Sequence, residues 1–209
     1  MKHLYYKILL LLCCTAGIQT TKAQDVDKLF AVMPTQYLPY LDGAWRKDLI
    51  ELYNSGKEAK LRNTMNGHST LKKLTKDYLL LQTSDRSKLE LKLLPLVNNT
   101  SLICMVKTVY GPVADSNLRF FTTDWKELEG EELFILPTKQ DFVKQDVDKK
   151  SLKDLDIDFF LYELSAENNT LSIHYTTPEY LGEEMKKEVK PLLKKGPLVL
   201  TWDKFRFKR

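Results

Sequence analysis

The chain has 209 residues, 43% hydrophobic and 29% charged, with 32 basic residues against 28 acidic ones. That length is enough to bury a sizeable apolar core. The two charge signs are interspersed along the chain, which argues against the basic patch or stripe of a nucleic-acid binder.

The first 23 residues set the expected location. Lys2, His3 and Lys7 make a basic start, Ile8 to Leu12 is unbroken Ile and Leu, and Cys13 and Cys14 extend the apolar run. Thr21-Lys22-Ala23 then supplies small residues where a signal peptidase cuts. The apolar run is shorter than the roughly 20 residues a bilayer-spanning helix needs. We expect a signal peptide over residues 1–23, cleavage after Ala23, and an exported protein that starts at Gln24, periplasmic or secreted, with no transmembrane segment in the mature chain. Lys2, Lys7 and Lys22 leave with the signal, so the remaining 186 residues carry 29 basic and 28 acidic side chains. Cys104 is then the sole cysteine, and no intramolecular disulfide can form. Neither Leu10-Leu11-Leu12 before Cys13, nor Cys13 before Cys14, gives the Leu-small-small order of lipoprotein processing, so free export is expected over a lipid anchor.

The expected mature chain opens with helices. Val26, Leu29, Phe30 and Met33 recur at helical spacing until Pro34. Residues 35–41 contain Pro39 and connect. Asp42 is placed to cap a second helix whose apolar face is Trp45, Leu49, Leu52 and Tyr53, ended by Asn54-Ser55-Gly56. From Ala59 the period becomes two, with Leu61 and Met65 on one face. Tyr78 to Gln82 is a short apolar run. After the turn Ser84 to Ser87, Leu89, Leu91 and Leu93 alternate with Lys88, Glu90 and Lys92, the pattern of a strand buried on one face. Leu102 to Val106 is apolar on both faces and predicts a central strand. Leu118 and Phe120 point inward on the next one.

Residues 127–158 are dense in Lys, Asp and Glu and predict a linker, surface excursion or lid between two parts of the sheet. Phe159 to Leu164 resumes a strand, and Asn168-Asn169 turns into Leu171, Ile173 and Tyr175. Thr177-Pro178 opens a late helix with Leu181, Met185, Val189 and Leu192, closed by Gly196. Leu198, Leu200 and Trp202 form a last strand, with Phe205 and Phe207 continuing past a bulge near Asp203. There is an internal echo between the hairpin at 77–93 and that at 158–175, and between Thr123-Asp124-Trp125-Lys126 and Thr201-Trp202-Asp203-Lys204. The fold expected is α+β: N-terminal helices packed on a largely antiparallel sheet of about seven to nine strands, with a late helix near 177–195. Residues 24–209 are expected to form a single domain, with a sheet that the 127–158 excursion divides in two.

A signal ending in Lys-Ala-Gln, Met33-Pro34, a Thr-Thr-Asp-Trp block at Thr122 to Trp125, and Thr201-Trp202-Asp203 occur in that order along the chain. The chain resembles, on these motifs, the exported domain-of-unknown-function family DUF3256 of Bacteroidales. The resemblance implies export in a Gram-negative bacterium and carries no catalytic residue.

Candidate chemistry is sparse. Asp154, Asp156 and Asp158 alternate as in the first half of a calcium loop, but Phe159 and Ser165 stand where that loop needs Gly and a bidentate Glu. Solvated acids beside buried Leu155 and Ile157 are the plainer expectation. His68 and His174 lie in separate segments without a nearby cysteine, which argues against a zinc site. Cys104, between Ile103 and Met105, reads as an inert small hydrophobe. Glu127, Glu129, Glu131 and Glu132 could offer a glycosidase-like pair but sit in the charged excursion. Trp125, Trp202, Tyr110, Tyr162, Tyr175 and Tyr180 fit either a core or a ligand-stacking surface. The sequence therefore assigns no catalytic, metal-ligating or cofactor-binding residue and no cofactor. The leading expectation is a non-catalytic envelope module that binds a protein, glycan or small molecule. The alternatives are a small periplasmic hydrolase using acidic residues, or a carrier of an apolar ligand.

Overall fold

The computed structural model describes residues 25–147 and 155–209. The expected signal peptide and Asp154 lie outside them. Helix α1 (Val26–Ala31) buries Val26, Leu29 and Phe30. Helix α2 (Gly43–Asn54) starts as expected, with the Asp42 side chain accepting a hydrogen bond from the Trp45 N–H at 3.0 Å. Together they cover one face of a seven-stranded antiparallel sheet in simple sequence order. Its strands are β1 (Lys60–Arg62), β2 (His68–Leu74), β3 (Tyr78–Ser84), β4 (Ser87–Pro95), β5 (Ser101–Tyr110), β6 (Ala114–Thr122) and β7 (Glu127–Leu128). Leu79 and Leu81, Leu89, Leu91 and Leu93, Ile103, Met105 and Phe121 point at the helices from this sheet.

The opposite face of the same sheet is also a core. Leu94, Leu102, Cys104, Val106 and Phe120 pack there against a second antiparallel sheet. That sheet comprises β8 (Phe160–Leu164), β9 (Thr170–Tyr175), β10 (Leu198–Trp202) and β11 (Phe207–Lys208), in the order β11-β10-β9-β8. The molecule is thus layered helix, sheet, sheet, and the α+β class holds. Among the described residues there are eleven strands rather than seven to nine. The strands not expected are β2, whose alternation a register shift between Leu71 and Lys73 interrupts, and β7 and β11, two residues each and too short to show a period.

Several local expectations change. The strand β4 is not buried on one face only: Glu90 and Lys92 are 2% and 1% exposed, because the second sheet covers their side. Met65 is 73% exposed, carried out on the turn between β1 and β2, where Asn66 adopts φ 62°. Ile157 is exposed as well. The late helix is broken into α3 (Thr177–Tyr180), α4 (Glu183–Val189) and a 3₁₀ turn over Lys190–Leu192, since Leu181 is extended and Gly182 restarts the helix. Met185 faces solvent and Val189 alone of its expected apolar positions is fully buried. The bulge near Asp203 is a tight turn: Asp203 Oδ1 accepts from the N–H groups of Phe205 and Arg206, and β11 pairs back on β10.

Two tryptophans tie the layers together. Trp125 sits at φ 62° in the turn between β6 and β7, a left-handed conformation costly for a bulky residue. Its ring packs on Tyr37 and Phe121, and its Nε1 donates to the Leu29 carbonyl of α1 at 3.1 Å. Trp202 Nε1 donates to the Pro95 carbonyl at 2.7 Å, joining the second sheet to the first. The Thr-Thr-Asp-Trp and Thr-Trp-Asp motifs therefore hold layers in register. They are not equivalent: the first places its tryptophan in the turn, the second its aspartate.

Candidate functional site

The strongest concentration of chemistry lies between the two sheets. Tyr78 on β3 donates its hydroxyl to Glu90 Oε1 at 2.8 Å, and the Leu164 N–H of β8 donates to the same oxygen at 3.3 Å. Lys88 Nζ lies 3.1 Å from Glu90 Oε2, an ion pair short of directed hydrogen-bond geometry, and 3.4 Å from Glu163 Oε1. Glu163 Oε2 is 3.2 Å from His174 Nε2. Beside this cluster, buried Lys92 pairs with Asp77 at 2.8 Å. Burial pushes the Glu90 carboxyl up, and the Lys88 ammonium and Tyr78 hydroxyl only partly offset it. Burial pulls Lys88 down, but Glu90, Tyr110 and Glu163 outweigh it and leave it raised. Burial and the adjacent Glu90 push the Tyr78 hydroxyl up.

Alternation along β4 suggested that Lys88, Glu90 and Lys92 were solvent-facing, so sequence reasoning missed this cluster. An intervening signal existed in the two acids, Asp77 and Glu163, that supply counter-charge from other segments. The geometry is that of a structural network. Neither Glu90 oxygen faces open space, since one accepts two hydrogen bonds and the other meets Lys88. A shallow cavity of about 200 Å³ reaches Lys88 from outside, lined also by Ser84, Ser87 and Tyr110.

The residues singled out from sequence do not converge. Glu127, Glu129, Glu131 and Glu132 are exposed, and Glu127 sits 3.7 Å from Arg119 Nε. Asp156 is exposed, and Asp158 accepts a hydrogen bond from the Tyr175 hydroxyl at 2.7 Å. His68 is exposed on β2 and His174 half-buried on β9. Among the described residues, no three His, Cys, Asp or Glu side chains gather as a metal-binding group. Cys104 is fully buried, and burial followed by Glu90 drives its thiol well above the ordinary range, which makes it a poor nucleophile. Trp125, Trp202 and Tyr162 are core residues; burial pushes the Tyr162 hydroxyl up to about 12. Tyr110 and Tyr180 are exposed.

A second feature lies at the edge of the inter-sheet core. The charged excursion returns inward at Phe134 and Phe142, and the Phe207 N–H of β11 donates to the Leu133 carbonyl at 2.9 Å. Between these anchors Ile135 and Leu136 stand out, 74% and 71% exposed. They flank a cleft of about 270 Å³ whose floor is Leu198, Leu200 and Phe207, with Arg206, Lys208, Arg209 and Asp141 around it. Thr138 and Asp141 form a capping box that starts the 3₁₀ turn Lys139–Phe142 and fixes the far wall. Burial raises the Asp141 carboxyl, but the Thr138 N–H and Arg209 guanidinium outweigh it and hold it below the usual carboxylate range. No helix among the described residues is long and apolar enough to cross a membrane.

These layers and motifs define an α+β protein whose helices and second sheet cover opposite faces of one antiparallel sheet. The chain belongs to the family described as protein of unknown function DUF3256, whose model matches residues 18–207. It is similar to the solved structure of a domain of an uncharacterized protein from Porphyromonas gingivalis, a Bacteroidales species, at 32% identity and a TM-score of 0.77. That match covers 90% of this chain and 100% of the other. No curated protein matches the chain.

Proposed function

We propose that this protein is an exported, non-catalytic binding module that docks its ligand at the cleft beside Ile135 and Leu136. The exposure of these two consecutive side chains carries the reading. Large apolar groups held out in solvent, over an apolar floor and inside a charged rim, mark an interaction site. The order of basic, apolar and small residues from Lys2 to Ala23 supports export. A hydrolase is the second reading, favoured by the convergence of Glu90 and Glu163 on Lys88. The bonds already made by Glu90 weigh against it, because a catalytic carboxylate needs an oxygen aimed at substrate.

Intact mass of the protein recovered from the envelope fraction is expected to correspond to a chain starting at Gln24. Retention of residues 1–23 in the recovered protein would remove the export part. For docking, small apolar probes such as cyclohexanol and indole are titrated while methyl resonances are followed. Shifts are expected at Ile135, Leu136, Leu198 and Leu200 and not at exposed Met65 or Val109. A silent cleft would overturn the docking reading. Hydrolysis of simple esters or glycosides that disappears in Glu163→Gln would instead favour the enzyme.

A further inference from the structure

We propose that the cleft takes the apolar tail of an amphiphile whose anionic head, a carboxylate or phosphate, is held at its Arg206 end. This rests on the docking reading above and adds the chemical class of the ligand. The floor and wall of Leu198, Leu200, Phe207, Ile135 and Leu136 offer nothing to a polar ligand but suit a hydrocarbon chain. The cavity of about 270 Å³ is slightly below the usual range for a whole small-molecule ligand, so it fits a tail better than an entire bulky molecule.

The charges around the cleft select the head. Three cations, Arg206, Lys208 and Arg209, line it with one acid, Asp141. Asp141 is already committed, to Arg209 and to the Thr138 N–H at 2.8 Å. Lys208 is committed to Asp203, which also holds the turn through the Phe205 and Arg206 N–H groups. Arg206 has no acidic side chain within ion-pair reach among the described residues. Its planar guanidinium presents forked donors that match a carboxylate or a phosphate. A cationic or neutral head would gain nothing there.

Trp202, 5.2 Å ring to ring from Phe207, supplies a reporter beneath the floor. The full protein is titrated below micellar concentrations with decanoate, decyl phosphate, decanol and decyltrimethylammonium, following tryptophan emission. Both anions are expected to bind about twofold to fivefold more tightly than decanol, the scale of one partly exposed ion pair. Arg206→Gln is expected to bring the anions down to the decanol value while leaving decanol and the melting temperature unchanged. Arg206 is exposed, so its replacement does not threaten the fold. Leu136→Asp is expected to weaken all four. Equal binding of decanol and decanoate, or indifference to Arg206→Gln, overturns the anionic head and leaves the docking reading standing. Inorganic phosphate binding as tightly as decyl phosphate overturns the tail. No amphiphile binding, while apolar probes still shift Ile135, overturns this inference alone; a cleft silent to both removes the docking reading too.

Discussion

Glu90 carries its carboxyl at 2% exposure, and the groups around it decide how its charge affects stability. Burial is the largest influence and raises its proton affinity in the folded state above the ordinary value of 4.5. A raised acid contributes stability that is fully present below its unfolded pKa and lost as pH rises through its folded one. Lys88, raised on balance, contributes stability that is present below 10.5 and lost as pH rises through its folded value. The two partners therefore act at opposite ends of the pH scale. Glu90→Gln keeps an acceptor for Tyr78 and Leu164 but cannot ionise. Urea melts are expected to show this variant gaining on the wild type as pH moves from about 4 to about 7. A wild type that gains on the variant over that interval would mean the carboxylate is favoured by its surroundings. Glu90→Ala differs in kind: it orphans the Tyr78 hydroxyl, the Leu164 N–H and part of the Lys88 charge, at a cost of about 3–5 kcal/mol.

The strand β8 shows the same logic at the scale of an element. It is the outer strand of the second sheet, and an outer strand exposes N–H groups to any passing chain. Three of these, on Phe160, Tyr162 and Leu164, are taken by side chains of the first sheet: Asp115 Oδ1 at 3.3 Å, Ser116 Oγ at 3.0 Å and Glu90 Oε1 at 3.3 Å. The first contact is exposed, the second part-buried and the third buried, so the cost of removing each should rise in that order. Ser116→Ala is expected to cost about 1–2 kcal/mol and to speed amide exchange at Tyr162, with Asp115→Ala costing less. Equal costs would mean that the strand is held by packing alone. The periodic elements were legible in the sequence: α1, α2 with its Asp42 cap, β3 to β6, β8 to β10 and the buried Cys104. Alternation along β4 reports that its side chains point to two sides; it does not report that the polar side meets water. Lys88, Glu90 and Lys92 become interior only because Tyr78, Asp77 and Glu163 arrive from other strands and turns. The cleft was hidden for a similar reason. Ile135 and Leu136 end an apolar run of four residues, Leu133 to Leu136, too short to show a period inside a charged stretch, and Arg206 comes beside them only when β11 folds back.

At the scale of the whole molecule, one sheet supports both cores. On β5, Ile103 and Met105 face the helices while Leu102, Cys104 and Val106 face the second sheet, all on one hydrogen-bonded ladder. Fraying that ladder on one side removes the platform for the other, so residues 24–209 should unfold as a unit. The tryptophans report the two sides separately: Trp45 and Trp125 pack in the helix-side core, Trp202 between the sheets. Trp202→Phe therefore leaves reporters on the helix side, and Trp45→Phe with Trp125→Phe leaves one on the other. Each replacement shifts the midpoint, since Trp125→Phe and Trp202→Phe each remove an indole hydrogen bond of about 0.5–1.5 kcal/mol. The comparison is made within each variant, between its fluorescence and its far-ultraviolet circular dichroism. Coincident transitions in both variants are the expected outcome for one cooperative unit. If fluorescence of the second variant falls away before its circular dichroism, the four-stranded sheet is a separate unit seated on the first. The excursion at 127–158 would then join two domains rather than two layers of one.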